Sequence, residues 1–143
     1  MNKYDALKIE NQLCFPLYSA SREVVKRYYP YLSKIGLTYT QYITMMIMWE
    51  YERIGVKALG ERLYLDSGTV TPVVKGLEKK GLVVRERSQS DERQVIVAIT
   101  KEGMELREKA VEIPKKMASC LDIDENEAKM LYSILYKMLK SNK

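Results

Sequence analysis

The stretch from Val56 to Thr100, VKALGERLYLDSGTVTPVVKGLEKKGLVVRERSQSDERQVIVAIT, constrains the fold more than any other part of the chain. Its beginning predicts a short helix over about Val56 to Tyr64, with Ala58, Leu59, Leu63 and Leu65 in an apolar stripe near helical period. Leu65-Asp66-Ser67-Gly68 breaks that helix. Asp66 and Ser67 are both good N-caps, because a short side-chain oxygen accepts a free backbone N–H of the first turn; a second helix is expected to start here. It runs to Lys80 and stops at Gly81, a residue that tolerates the left-handed backbone closing many helices. Val70, Val73, Val74 and Leu77 form its inner stripe and leave Thr69, Lys75 and Lys79 outside.

Two helices across a tight turn are a weak signal alone, since helical hairpins are common. The continuation sharpens it. Residues 82–87 and 94–99 are β-rich, and the six between them, Ser88-Gln89-Ser90-Asp91-Glu92-Arg93, include no apolar residue. A hairpin with a charged tip directly after a helix-turn-helix is a winged helix. Its second helix enters a DNA major groove with its N-terminal residues, and a wing arginine reaches the neighbouring minor groove, where narrow A·T-rich DNA attracts guanidinium. Ser67, Thr69 and Thr71 therefore offer hydroxyls to phosphates or base edges. Lys75, one turn further on, is placed for phosphate. Arg93 is the minor-groove residue, with Asp91 expected to hold it by a salt bridge, and Arg85 and Arg87 flank the wing base as backbone contacts. The plainer reading of Lys75, Arg85 and Arg87 is a solvated face.

Charge is compatible with that partner without demanding it. The net charge is +5, and residues 75–93 carry six Lys or Arg against four Asp or Glu, so placement matters more than excess. The chain contains no histidine, which removes the commonest general base and metal ligand and the Ser-His or Cys-His pairs of hydrolases. An enzyme is not expected, nor a metal or cofactor. Cys14 and Cys120 are 106 positions apart and match no zinc or CxxC spacing. No apolar run approaches the ~20 residues of a membrane span, and the N-terminus has no signal-peptide core. These features predict a cytoplasmic protein without a membrane partner, in which a permanent disulfide is not expected.

Around the central stretch lie amphipathic helices. Residues 7–32 read as one long helix with Leu13, Leu17, Ala20, Val24 and Tyr28 on its apolar face. Pro16 either kinks this helix or belongs to the first turn of a restarted one, which would put Cys14 at a helix N-terminus, where backbone N–H groups favour an anion. Pro30 and Gly36 punctuate the following turn. Thr38 and Gln41 form a capping box for a helix over about 39–52, apolar nearly all round, whose Met45, Met46 and Met48 read as core filling. Arg53-Ile54-Gly55 reads as a loop. A helix from Lys101 to about Lys116 is broken or bent at Pro114, and Asp124 caps a last helix, 125–141, with a stripe of Ala128, Leu131, Ile134, Leu135, Met138 and Leu139. The expected fold is mainly α with a small β-wing: a winged helix-turn-helix over 38–100 including its leading helix, flanked by dimerisation helices in 1–37 and 101–143. A symmetric dimer covers the apolar stripes and matches palindromic DNA.

This arrangement resembles the MarR family of winged-helix regulators over essentially the whole chain, and more narrowly its organic-hydroperoxide-sensing OhrR branch. The residues that carry the resemblance are ENQLCFPLYSASRE at 10–23, LTYTQY at 37–42, LGERLYLDSGTVTP at 59–72 and RERSQSDER at 85–93. The resemblance implies a sensor thiol at Cys14, hydrogen-bonded by two tyrosines that fall at Tyr28 (with Tyr29 as its neighbour) and Tyr39, the second from the other subunit. A thiolate is the nucleophile toward peroxide, and phenolic O–H groups favour its charged form. It also implies a homodimeric repressor on a pseudo-palindromic double-stranded operator, with an organic hydroperoxide as effector and Cys120 as a candidate resolving thiol. Without that context a lone cysteine on an apolar helix is ordinarily a small buried hydrophobe. Two other readings stay open: a MarR-type repressor answering a small aromatic ligand near Met45, Met46 and Trp49, with Cys14 inert, and a thiol peroxidase.

Overall fold

Side-chain caps set the starts of four of the seven α-helices in the computed structural model, which describes residues 2–141. Thr38 caps helix α2 (Tyr39–Tyr51) in a capping box: its hydroxyl accepts the Gln41 N–H at 3.2 Å, and the Gln41 side chain accepts the Thr38 N–H at 3.1 Å. Asp66 caps helix α4 (Ser67–Lys79), accepting the Thr69 N–H at 2.8 Å. Thr100 caps helix α5 (Lys101–Ala110) in the same way. Asp124 and Glu127 reciprocally cap the last helix, α7 (Glu125–Ser141). In chain order the other helices are α1 (Cys14–Leu32), α3 (Val56–Leu63) and α6 (Ile113–Ala118).

Pro16 belongs to the first turn of α1, so the restarted helix is the form this chain adopts. The helix does not begin at residue 7: short 3-10 turns at Lys3–Leu7 and Ile9–Asn11 precede it. Pro30 lies inside the last turn of α1, and the turn itself falls at Gly36, whose φ of 70° is left-handed. Pro114 sits at the start of α6 and divides the expected 101–116 helix in two.

Arg53–Gly55 is not a loop but strand β1. It pairs antiparallel with β3 (Val95–Ile99), whose other edge pairs with β2 (Val83–Arg87), in the order β1-β3-β2. Arg53 faces Ala98, Val83 faces Ile99 and Arg87 faces Val95. Three residues are too few to show an alternation, so only the pairing partner reveals this strand.

The core forms where α2 passes behind the helix-turn-helix. Met45 and Met48 are fully buried with Leu59 of α3, Val70, Val74 and Leu77 of α4, and Val83 and Val97 of the sheet. Truncating one of these to alanine typically costs ~2–5 kcal/mol. The α3–α4 turn closes on Tyr64, in left-handed conformation at φ 56°, and on the Leu65 N–H, which bonds the Gly60 carbonyl at 2.9 Å. A Cβ at Gly60 would stand 2.8 Å from the Leu65 carbonyl oxygen, which explains glycine there.

The outer helices contrast with this centre. In α1 the one buried residue is Leu32, while Leu13, just before the helix, is 83 % exposed. No residue of α7 is buried, although Met130, Leu131, Tyr132, Ile134, Met138 and Leu139 are large and apolar.

Candidate functional site

Cys14 is the first residue of α1 and is exposed. Leu13 precedes it and provides no side-chain cap, so the N–H groups of that first turn are left without a side-chain acceptor. The α1 register places Tyr28 fourteen residues later, ~21 Å of helix rise from Cys14 in the same protomer. Tyr28 is in contact with Tyr39, the first residue of α2, with ring centroids 4.9 Å apart. Tyr42 completes the cluster at 5.6 Å from Tyr28 and 6.4 Å from Tyr39.

Within one protomer, therefore, Cys14 meets neither Tyr28 nor Tyr39. Both phenols share one site, and both are far from their own Cys14. Burial pushes the Tyr39 phenol up, and burial with the neighbouring Tyr39 pushes Tyr28 up. Tyr42 is raised furthest, to about 12, by burial and then by Tyr28 and Tyr39. The cluster is thus a set of firmly protonated O–H donors.

Cys120 follows α6, in the turn before α7. Its thiol donates to the Lys116 carbonyl at 3.3 Å and lies 4.0 Å from the Tyr31 hydroxyl. The Arg27 guanidinium donates to the Cys120 carbonyl. Sequence reading missed Arg27 and Tyr31, because 89 or more positions separate them from Cys120 and no local pattern links them.

The second candidate region is a cleft of about 910 Å³ between α3, α4 and the wing. Ser67, Thr71, Arg85 and Arg93 line it together, and Lys57, at the start of α3, adds a cation that sequence reading passed over. A basic residue in the first turn of the first helix was the available signal. Thr69 and Lys75 are exposed on α4, outside the cleft lining; the Thr69 hydroxyl donates to Asp66 at 3.0 Å.

The arginines differ in freedom. Arg85 is held by Glu78 of α4, at 3.1 Å from both its Nε and a terminal nitrogen, and its backbone N–H donates to the same carboxylate at 3.2 Å. This bonding holds the Glu78 carboxyl below its ordinary range. Arg87 donates to the Glu92 carbonyl across the wing at 2.8 Å. The expected Asp91–Arg93 salt bridge does not form: the Asp91 carboxylate accepts the backbone N–H of Arg93 at 3.0 Å and shapes the wing turn.

Of the three residues named for a small aromatic ligand, Met46 is exposed on α2. Met45 is fully buried, and the Trp49 indole donates to the Gly103 carbonyl at 2.8 Å.

Two contacts link the tyrosine cluster to α4. Gln41, buried between Tyr39 and Tyr42 in sequence, accepts from Lys80 at 2.6 Å, and Lys80 also donates to the Gly36 carbonyl. At Gly76 of α4 an added Cβ would meet the Gln41 amide nitrogen at 2.9 Å.

The family described as "Transcriptional regulator SarA/Rot" matches residues 26–110. The organic hydroperoxide resistance transcriptional regulator of Bacillus subtilis (strain 168) is 47% identical over 140 residues, covering 98% of this chain and 95% of that protein. The HTH-type transcriptional regulator SarZ of Staphylococcus aureus (strain USA300) is 40% identical over 94% of this chain and 90% of its own. Among solved structures, reduced AbfR bound to DNA is 36% identical and superposes with a TM-score of 0.79 over 98% of both chains. The disulfide form of AbfR, a Staphylococcus epidermidis protein, superposes with a TM-score of 0.63 over 97% of this chain and 94% of its own. Overoxidized AbfR bound to DNA superposes equally well, with a TM-score of 0.79, so the fold described here is nearer the DNA-bound forms than the disulfide form. The chain belongs to the SarA/Rot transcriptional regulators, built on the winged-helix plan of the MarR family and similar along nearly its whole length to the organic hydroperoxide regulators.

Proposed function

We propose that this protein is a homodimeric transcriptional repressor that senses organic hydroperoxides through Cys14 and releases its operator DNA when that thiol is oxidised. The observation that carries the reading is the division of the thiol site. Cys14 stands exposed at the start of α1, and the paired phenols of Tyr28 and Tyr39 lie ~21 Å along the same helix, so a second copy must bring thiol and phenols together. The apolar stripes of α1 and α7, left open by the protomer, supply the interface, with the segments 1–37 and 101–143 acting as dimerisation elements around the 38–100 module.

In this assembly the partner's Cys14 accepts hydrogen bonds from Tyr28 and Tyr39. Phenols that keep their protons favour the thiolate, the reactive form. The thiolate attacks one peroxide oxygen, the O–O bond breaks, and the alcohol leaves with a proton, giving a sulfenic acid on Cys14. Cys120 serves as the resolving thiol. One peroxide is consumed per switching event, which makes this a signal rather than a turnover reaction. On this reading the protein is a regulator and not an enzyme, and it acts in the cytoplasm.

On the DNA, α4 enters the major groove with Ser67, Thr69 and Thr71, while Lys57 and Lys75 meet phosphate. Arg93 enters the minor groove, its approach shaped by Asp91. Arg87 follows the backbone, and Arg85 does so when Glu78 yields it. A coupling of ~3 kcal/mol between thiol state and DNA binding would weaken the complex more than a hundredfold.

The test is an operator titration at one salt concentration, with reduced protein and with protein treated with cumene hydroperoxide. Wild type should lose binding and regain it with a reductant, whereas Cys14→Ser should stay bound. Release of Cys14→Ser by peroxide would refute the sensor assignment.

A further inference from the structure

The α1 helix carries two tyrosine positions with different neighbours. Tyr28 faces Tyr39 and Tyr42, and Tyr31, three residues on and therefore on an adjacent row of the helix surface, faces Cys120. Arg27 lies four residues before Tyr31, on the same side, and donates to the Cys120 carbonyl. The Lys116 ammonium stands 5.7 Å from the Tyr31 ring centroid. The turn between α6 and α7 is thereby fastened to α1 through both its backbone and its sulfur. Tyr31 lies seventeen residues from Cys14, or ~25 Å of helix, so Cys120 cannot meet the Cys14 of its own protomer in this arrangement.

We propose that Tyr31 and Arg27 are positioning residues for disulfide closure: they hold Cys120 near the Tyr28–Tyr39 pair of the same protomer, to which the partner's Cys14 is delivered. The proposal rests on the thiol-sensing reading above. It assigns the phenols that receive the sensor and the thiol that resolves it to one subunit, about one helical turn apart along α1. The closing step is balanced without a further reagent. The Cys120 sulfur, as thiolate, attacks the sulfenic sulfur of the partner's Cys14. The S–S bond forms, the S–O bond breaks, and the departing hydroxide takes the proton released by Cys120, leaving water. The sulfenic sulfur is reduced as Cys120 is oxidised. The Tyr31 hydroxyl stabilises the attacking thiolate by a hydrogen bond, and Arg27 fixes the backbone from which it attacks. The bond between Tyr31 and Cys120 is also the main cause that raises the Tyr31 phenol, which therefore keeps the proton it donates.

The experiment follows two steps separately after adding one equivalent of cumene hydroperoxide per Cys14. Sulfenic acid is captured with dimedone and located by mass spectrometry; closure is timed by non-reducing electrophoresis and peptide mapping. Wild type should give a Cys14–Cys120 link between subunits. Tyr31→Phe should form sulfenic acid at the wild-type rate but close about tenfold more slowly, the size expected from one lost hydrogen bond to a charged group. The pH profile of its closing step should be displaced, a change that a purely structural role would not produce. Arg27→Gln should slow closure, and Arg27→Lys should restore most of it. Closure at the wild-type rate and with the wild-type pH profile in Tyr31→Phe and Arg27→Gln, with sulfenic acid formed normally, overturns this proposal alone. A wild-type protein that forms no sulfenic acid at Cys14 overturns the sensing reading and the proposal with it.

Discussion

Tyr42 is 2 % exposed and its phenol is raised to about 12, so it ionises much later in the folded protein than in the unfolded chain. Between the ordinary tyrosine range near 10 and about 12 the unfolded state binds fewer protons than the folded one. Stability should therefore be full below that window and fall as pH rises through it. Denaturant midpoints measured from pH 8 to 12 test this, and Tyr42→Phe should flatten the fall. Gly103 offers a second test. A Cβ there would collide with the Leu82 carbonyl and stand 2.8 Å from Ile99 Cγ1, so Gly103→Ala should lose on the order of 1–3 kcal/mol. Urea unfolding followed through Trp49, the chain's one tryptophan, would report it, because the indole bonds the Gly103 carbonyl. At this scale the caps were legible in the sequence: Thr38, Asp66 and Asp124 each act within three residues. The partners of Gln41 and Cys120 were not, since Lys80 and Tyr31 are 39 and 89 positions away and only the fold brings them close.

Among the elements, the wing and α4 share the core through Leu77, Val83 and Val97, and Glu78 ties Arg85 across them at the surface. Glu78 is held below the ordinary carboxylate range, so this tie persists at neutral pH and is lost as pH falls through that lowered value. Glu78→Gln should loosen the pair, and operator affinity of the reduced protein should then depend on salt more steeply, as Arg85 becomes available to phosphate. Arg93→Ala should weaken operator binding by ~1–3 kcal/mol, measured by titration at fixed salt. The wing itself was legible because its tip lacks any apolar residue. The expected role of Asp91 was misplaced for a physical reason: a carboxylate two residues before Arg93 reaches the backbone N–H of a tight turn more readily than the end of a long side chain. Strand β1 went unread because Arg53–Gly55 draws its order from β3 and not from its own pattern.

For the whole molecule, helix 125–141 was read correctly down to its cap, yet the sequence could not say how its stripe is covered, because an amphipathic pattern does not name its partner. The structure leaves Leu131 45 % and Ile134 52 % exposed in the protomer. Leu131→Arg with Ile134→Arg should yield a monomer in sedimentation, with the central core intact by near-ultraviolet circular dichroism and with operator binding strongly reduced. A helix with no fully buried residue in its own chain also ties the protein to its abundance. Folding and pairing share one free energy, so thermal stability rises with protein concentration. In the range where monomer predominates, the DNA-competent form grows with the second power of monomer concentration. A modest fall in the amount of protein would then vacate the operator more sharply than in proportion, with no oxidant present.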